Sequence, residues 1–262
     1  MSEERNMENS RKKINQIIQW VETVTIPILV IVWWKVASDN NWVRKSILPG
    51  PAGVWESLQM LLEKGIFFQD LTATIQRIVI GFLIGAAIGI VMGIVIGIFP
   101  TADRFTKVLI AVLRPIPTIS LIPFVILCAG IGEKSKIIIV TLGTFWALML
   151  NTISGIRNVD PKLLELARML KKGRFETIFK VIIPSALPSV FTGIRLASSS
   201  SLAMSVTAEM VAAQNGIGYR IMFARNMSQP GVMFIGIIEL GIFGMVIDLV
   251  LLKVQDILFR NR

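Results

Sequence analysis

The chain has 262 residues, of which 53% are hydrophobic and only 17% charged, with a mean hydropathy of +0.69 and a net charge of +10. A soluble domain of this length is nearer a quarter charged, so the composition excludes an ordinary water-soluble fold and points to membrane-spanning segments. One cysteine (Cys128) and no histidine exclude an internal disulfide and the usual zinc and haem ligand sets. A nucleic-acid role is set aside, because the basic residues fall in short stretches between apolar runs and Tyr219 is the only tyrosine.

In chain order, residues 1–24 form a polar, basic segment with Arg11, Lys12 and Lys13 and an amphipathic patch around Ile14 to Trp20. The apolar run from Val24 to Ala37 imitates a signal peptide. Lys35, however, stands where a cleavage site needs a small residue, so an uncleaved first span is expected. Trp33, Trp34 and Trp42 would then sit at the outer interface. Leu48-Pro49-Gly50-Pro51 opens a connector with a short helix over Val54 to Lys64. The second span, Thr74 to Phe99, carries Gly81, Gly85, Gly89, Gly93 and Gly97 at four-residue spacing, a face that lets another helix approach closely.

Pro100 to Lys107 is expected as a polar turn, followed by a third span broken by Pro115, Pro117 and Pro123. The fourth span is Ile137 to Ile156. The fifth, Ser185 to Ala213, is polar, with Ser198 to Ser201, Ser205, Thr207 and Glu209. A loop with Gly216, Gly218, Arg220 and Arg225 leads to the sixth, Gly231 to Leu252. The fold class expected is therefore an all-α polytopic membrane protein with about six transmembrane helices. Residues 25–252 form the membrane domain and 253–262 a basic tail. With both termini on one side, about seventeen Lys and Arg fall on that side and about nine on the other. The positive-inside rule puts both termini in the cytoplasm.

Between the fourth and fifth spans, residues 157–184 form a polar interruption. Asp160 is an N-cap and Pro161 sits at the first helical position. Leu163, Leu166, Ala167 and Leu170 make an apolar stripe, with Lys162, Glu165, Arg168 and Lys172 outside it. Gly173 is expected to stop the helix in a left-handed conformation, and Pro184 to end or kink a second short helix. An amphipathic helix of this length cannot span a bilayer. The headgroup surface and a partner protein both suit its leucines, and docking to a protein is preferred.

Glu165-Leu166-Ala167, followed at fixed distance by Ile183-Pro184 and Leu187-Pro188, resembles the EAA loop of membrane (permease) subunits of bacterial ABC importers. Leu166 replaces the middle alanine of that pattern, and Lys171 stands at its glycine. Further pieces resemble the nitrate, sulfonate, taurine and bicarbonate branch of these permeases. They include Leu48-Pro49-x-Pro51, Arg77-x-x-x-Gly81-Phe82, Leu121-Ile122-Pro123, Gly193-Ile194-Arg195, and Ala208-Glu209 with Gly216-Ile217-Gly218.

The resemblance implies a type I ABC importer transmembrane-domain fold in the bacterial inner membrane. It also implies a homodimer of this chain, two cytosolic ATPase subunits gripping the Glu165 helices, and an extracytoplasmic binding protein that delivers substrate. Substrates of the branch are small anions or pyrimidine-like vitamin precursors. The chain has no G-x-x-x-x-G-K-[ST] loop, so it is not expected to be an enzyme or to bind a cofactor itself; ATP would be used by the partner.

The coupling residues implied are Asp160, Pro161, Leu163, Glu165, Leu166, Ala167, Leu170, Lys171, Gly173 and Pro184. Arg195, Ser198, Ser201, Ser205 and Glu209 are candidates for the translocation path. Charges inside spans cost about 2.5–3.5 kcal/mol unless paired or wet. Arg195 and Glu239 are accordingly expected to pair, while Arg77 and Glu209 are expected to snorkel at the outer boundary. The competing function is a gradient-driven secondary transporter relaying ions through Glu239 and Asp248, but nine residues put these two out of phase on a helix.

Overall fold

A computed structural model describes residues 25–44 and 46–260; the basic segment expected over 1–24 lies outside the described residues. Among these, helices are the only regular elements. They are α1 (25–39), α2 (Pro51–Glu63), α3 (Ile66–Ile98), α4 (Pro100–Leu113), α5 (Ile122–Ala129), α6 (Glu133–Arg157), α7 (Pro161–Met169), α8 (Arg174–Thr177), α9 (Ile183–Ala212), α10 (Ile217–Asn226) and α11 (Pro230–Phe259).

Among the described residues, four stretches are long and apolar enough to cross a membrane: α3, α6, Arg174–Ala212 and α11. A fifth is the broken pair of α4 and Thr118–Ala129, bent by 85° where the prolines cluster. The first expected span corresponds to α1, which runs to the edge of the described residues. Trp33 and Trp42 are exposed, as a belt position requires. Trp34 is turned inward instead: its Nε1 donates to the Pro49 carbonyl at 2.9 Å and its ring stacks on Phe234.

In lipid the hydrophobic effect does not drive helices together, so close packing and polar contacts must do it. The glycine face of α3 meets α6. A Cβ placed at Gly81 would stand 2.6 Å from Val140 Cβ, at Gly85 2.6 Å from the Thr141 carbonyl oxygen, and at Gly93 2.6 Å from Thr152 Cβ. The two backbones therefore touch over four turns, and Thr141 donates across the seam to the Gly81 carbonyl at 3.3 Å. The far face of α6 is built likewise against α9, with Gly143 on Met204, Gly155 on Ser189 and Gly193 on Asn151. Some 44% of the apolar window of α6 is buried, against 11% for α11, which puts α6 at the centre and α11 at the rim.

Four expectations are corrected. Pro100 to Lys107 is not a turn: Pro100 starts α4, with Asp103 in its first turn. The glycine- and arginine-containing loop after the fifth span holds a helix, α10. Pro184 does not end its helix: a π turn over Ile178–Ile182 widens the ladder where proline has no N–H to give, and α9 continues through Pro184 and Pro188. The sixth span also extends past Leu252, to Phe259.

Gly93→Val forces a branched side chain against Thr152 and the Met149 carbonyl and should cost about 1–3 kcal/mol. It should be read as a lowered melting temperature of the purified chain, whereas Gly241→Ala, whose Cβ meets nothing within 4 Å, should leave the melting temperature unchanged or raised.

Candidate functional site

The polar interruption builds as its sequence suggests up to Leu170. The Asp160 carboxylate accepts from the Lys162 N–H at 2.9 Å and Pro161 occupies the first turn. Ala167 is buried at 3% exposure, on the side of α7 that packs toward Ile178–Ile182. Leu163, Leu166 and Leu170 remain open, Leu166 at 52%. Together with Val181 they line a groove of about 120 Å³. Glu176 pairs with Lys172 (2.7 Å) and Lys180 (2.9 Å) along its edge. Exposed Met169, Phe175 and Phe179 extend this apolar face.

The helix stop is corrected. Gly173 is extended (φ −64°), and the left-handed residue is Lys171 at φ 51°. The Lys172 N–H donates to the Ala167 carbonyl at 3.0 Å and the Lys171 N–H to the Arg168 carbonyl at 2.9 Å, the paired bonds of a Schellman stop. That motif demands αL one residue past the cap. Lys171 therefore takes the strained position that the EAA pattern gives to glycine. Beyond the stop, Arg174 lies over the Phe99 ring at 5.5 Å, and Arg157 before α7 pairs with Asp103. Both ends of the loop are thereby tied to the α3–α4 corner.

A second polar assembly lies at the opposite end of α3. Arg77, 3% exposed, pairs with Glu209 at 2.8 Å, forks onto Glu133 at 2.7 and 2.8 Å, and donates to the Asn215 carbonyl at 3.0 Å. Glu209 also accepts from Thr74 Oγ1 and from the Gly218 N–H, both at 2.9 Å. Asp70 accepts from the Gly216 N–H at 2.8 Å and Arg220 at 2.6 Å, and the Ile217 N–H donates to Thr74 at 3.0 Å. The first N–H groups of α10 are thus capped by side chains of α3 and α9. With Lys136 on Glu133 at 2.7 Å, three cations face three carboxylates. Arg77 and Glu209 do not snorkel, because each finds a buried counter-charge on the neighbouring helix.

Arg195 pairs with Asp248 at 2.8 Å and not with Glu239, whose Oε1 has no hydrogen-bond partner among the described residues. Glu239 lies nine residues from Asp248 on α11, about 13 Å along the helix, out of reach of Arg195. Arg195, Ser198, Ser199 and Asp248 line a narrow groove between α9 and α11. Ser198 Oγ bonds back to the Ile194 carbonyl and Ser201 Oγ to the Ser198 carbonyl, both at 2.8 Å. Ser201, Ser205 and Glu209 are enclosed within the chain in this conformation. Ser199 and Asp248 were missed as groove residues because the pairing of α9 with α11 fixes them and no local pattern does.

Residues 85–262 match the family described as binding-protein-dependent transport system inner membrane component. Two relatives are described as aliphatic sulfonates transport permease proteins, SsuC. That of Bacillus subtilis (strain 168) is 35% identical over 87% of this chain and 83% of its own length; that of Escherichia coli (strain K12) is 39% identical over 85% of each. The MetNI methionine ABC transporter, solved in inward-facing conformations, superposes with a TM-score of 0.63 over 71% of this chain and 93% of that chain, at 19% identity. This last likeness concerns the fold.

Removing one partner of a buried ion pair costs about 3–5 kcal/mol. Arg77→Met, which strands Glu209, should therefore lower the unfolding free energy by that amount in chemical denaturation. Lys171→Gly relieves an αL penalty of about 1 kcal/mol and should increase hydrogen-exchange protection at Leu170 to Lys172.

Proposed function

Because the chain belongs to the family of inner membrane components of binding-protein-dependent transport systems, we propose that it is the permease subunit of an ATP-driven importer of a small sulfonate-type anion. In this reading two copies form the path, an extracytoplasmic binding protein delivers the substrate, and cytosolic ATPase subunits grip α7. The chain itself binds no nucleotide. Both termini (1–24 and 253–262) and the loop 157–184 face the cytoplasm.

The observation that carries the reading is the open leucine face of α7 on a polar loop between two spans. A soluble partner that covers Leu163, Leu166 and Leu170 gains roughly 25 cal/mol for each Å² of apolar surface removed from water. Glu165, outside the stripe, offers a charge at the rim of such a contact. The loop joins α6 to α9 directly and is pinned at both ends to the α3–α4 corner. Closure of an ATPase pair would therefore push α3, α6 and α9 as one body, a rigid-body switch between two packings.

For the path, Arg195 with Ser198 supplies a cation and a hydroxyl in the α9–α11 groove. Ser201, Ser205 and Glu209 act behind it by holding α9 in position.

Leu166→Arg places a charge in the apolar contact. Co-purification of the chain with the ATPase subunit encoded beside it should fall at least tenfold, while the variant still inserts and folds. Undiminished co-purification would contradict docking by this face.

A further inference from the structure

Between α4 and α5 the chain bends by 85°, and the depth of that corner is fixed by its flanks. Before it, Ile110 packs into the cluster of Ile96, Met149 and Ile153. After it, Ile122 belongs to the cluster of Ile139 and Ala208. The corner from Arg114 to Ser120 is therefore held between the levels of Ile139 and Met149 on α6, whose 25 residues are centred on Phe145. That is the middle of the bilayer.

Polar groups stand open at this depth. Arg114 to Pro117, Ile119 and Ser120 are exposed. Pro115 has no N–H for the Ala111 carbonyl, and the Ile116 N–H donates to the Leu113 carbonyl at 3.1 Å. Among the described residues no donor reaches the carbonyls of Arg114, Pro115 and Ile116, which lie outside every helix. Unpaired backbone does not face hydrocarbon, and the apolar surface of a second copy would leave the same carbonyls unpaired. The corner therefore lines water.

The guanidinium of Arg114 has no hydrogen-bond, ion-pair or ring partner among the described residues. Half the thickness of a bilayer is too far for it to snorkel. Arg195 lies at a comparable level, since Gly193 abuts Leu148 and Ser200 donates to the Gly143 carbonyl at 3.2 Å. Its charge, however, is shared with Asp248. Open carbonyls by themselves favour cations, and an arginine without a counter-charge reverses that preference.

We propose that Arg114 sets the anion selectivity of the translocation path, acting across water from the proline corner between α4 and α5. The assignment rests on the permease reading and adds a residue outside the α9–α11 groove.

Thiol labelling of the full chain in liposomes, without nucleotide or ATPase, tests the residue separately from the importer reading. In a Cys128→Ser background, Ser120→Cys should react with water-borne methanethiosulfonates. Leu249→Cys, at a position 57% exposed on the rim helix α11, should not. At Ser120→Cys the sulfonate-bearing reagent should be favoured over the trimethylammonium one, each rate being taken relative to free cysteine. Arg114→Gln should lower that ratio about fivefold, and Arg114→Glu should lower it further. Arg114→Lys should preserve it.

This labelling pattern without ATP-dependent uptake would contradict the importer reading and still support the role of Arg114. Labelling of Ser120→Cys no faster than that of Leu249→Cys, or a reagent ratio unmoved by both Arg114→Gln and Arg114→Glu, would overturn the proposal.

Discussion

The backbone contact between α3 and α6 sets the rest of the structure. Surrounded by hydrocarbon, two apolar helices gain nothing by leaving lipid for each other unless their packing is closer than lipid allows. Gly81, Gly85, Gly89 and Gly93 provide that closeness, and any side chain there would occupy space already held by Val140, Thr144, Leu148 or Thr152. With α6 fixed on α3, its other face receives α9 through the same device. The three helices become one block, and α1, α2, α10 and α11 are arranged around it.

The charged cluster locks one end of that block. Arg77 joins α3 both to α6, through Glu133, and to α9, through Glu209. Glu209, together with Asp70 and Thr74, also closes the first turn of α10, so burying charge here completes a helix that would otherwise start with unsatisfied N–H groups. Gly216 is required in that turn: at φ 112° a Cβ would stand 2.6 Å from both Arg77 and Glu209.

Features governed by local spacing were legible in the sequence. The four-residue glycine period marked a contact face, and the leucine stripe of α7 marked an amphipathic helix, because both repeat within a few turns. Features governed by distant partners were not. α10 lacks an apolar period and owes its first turn to Glu209 on α9 and to Asp70 and Thr74 on α3, the latter two more distant in sequence than any window could show. Gly173 looked like the helix stop because glycine pays least for a positive φ, yet the bonds to Ala167 and Arg168 place the stop at Lys171. Arg195 found Asp248 instead of Glu239 because depth, set by how α9 and α11 run past each other, decides which charges meet.

The block and the loop together make a lever: α7 offers an open face, and the helices on either side of it are those most firmly packed. Reconstitution of the chain in liposomes with its neighbouring ATPase and binding protein, followed by uptake of labelled substrate, tests this most directly. Accumulation should require ATP hydrolysis and all three components. Accumulation by the chain alone, driven by an ion gradient without ATP, would contradict it.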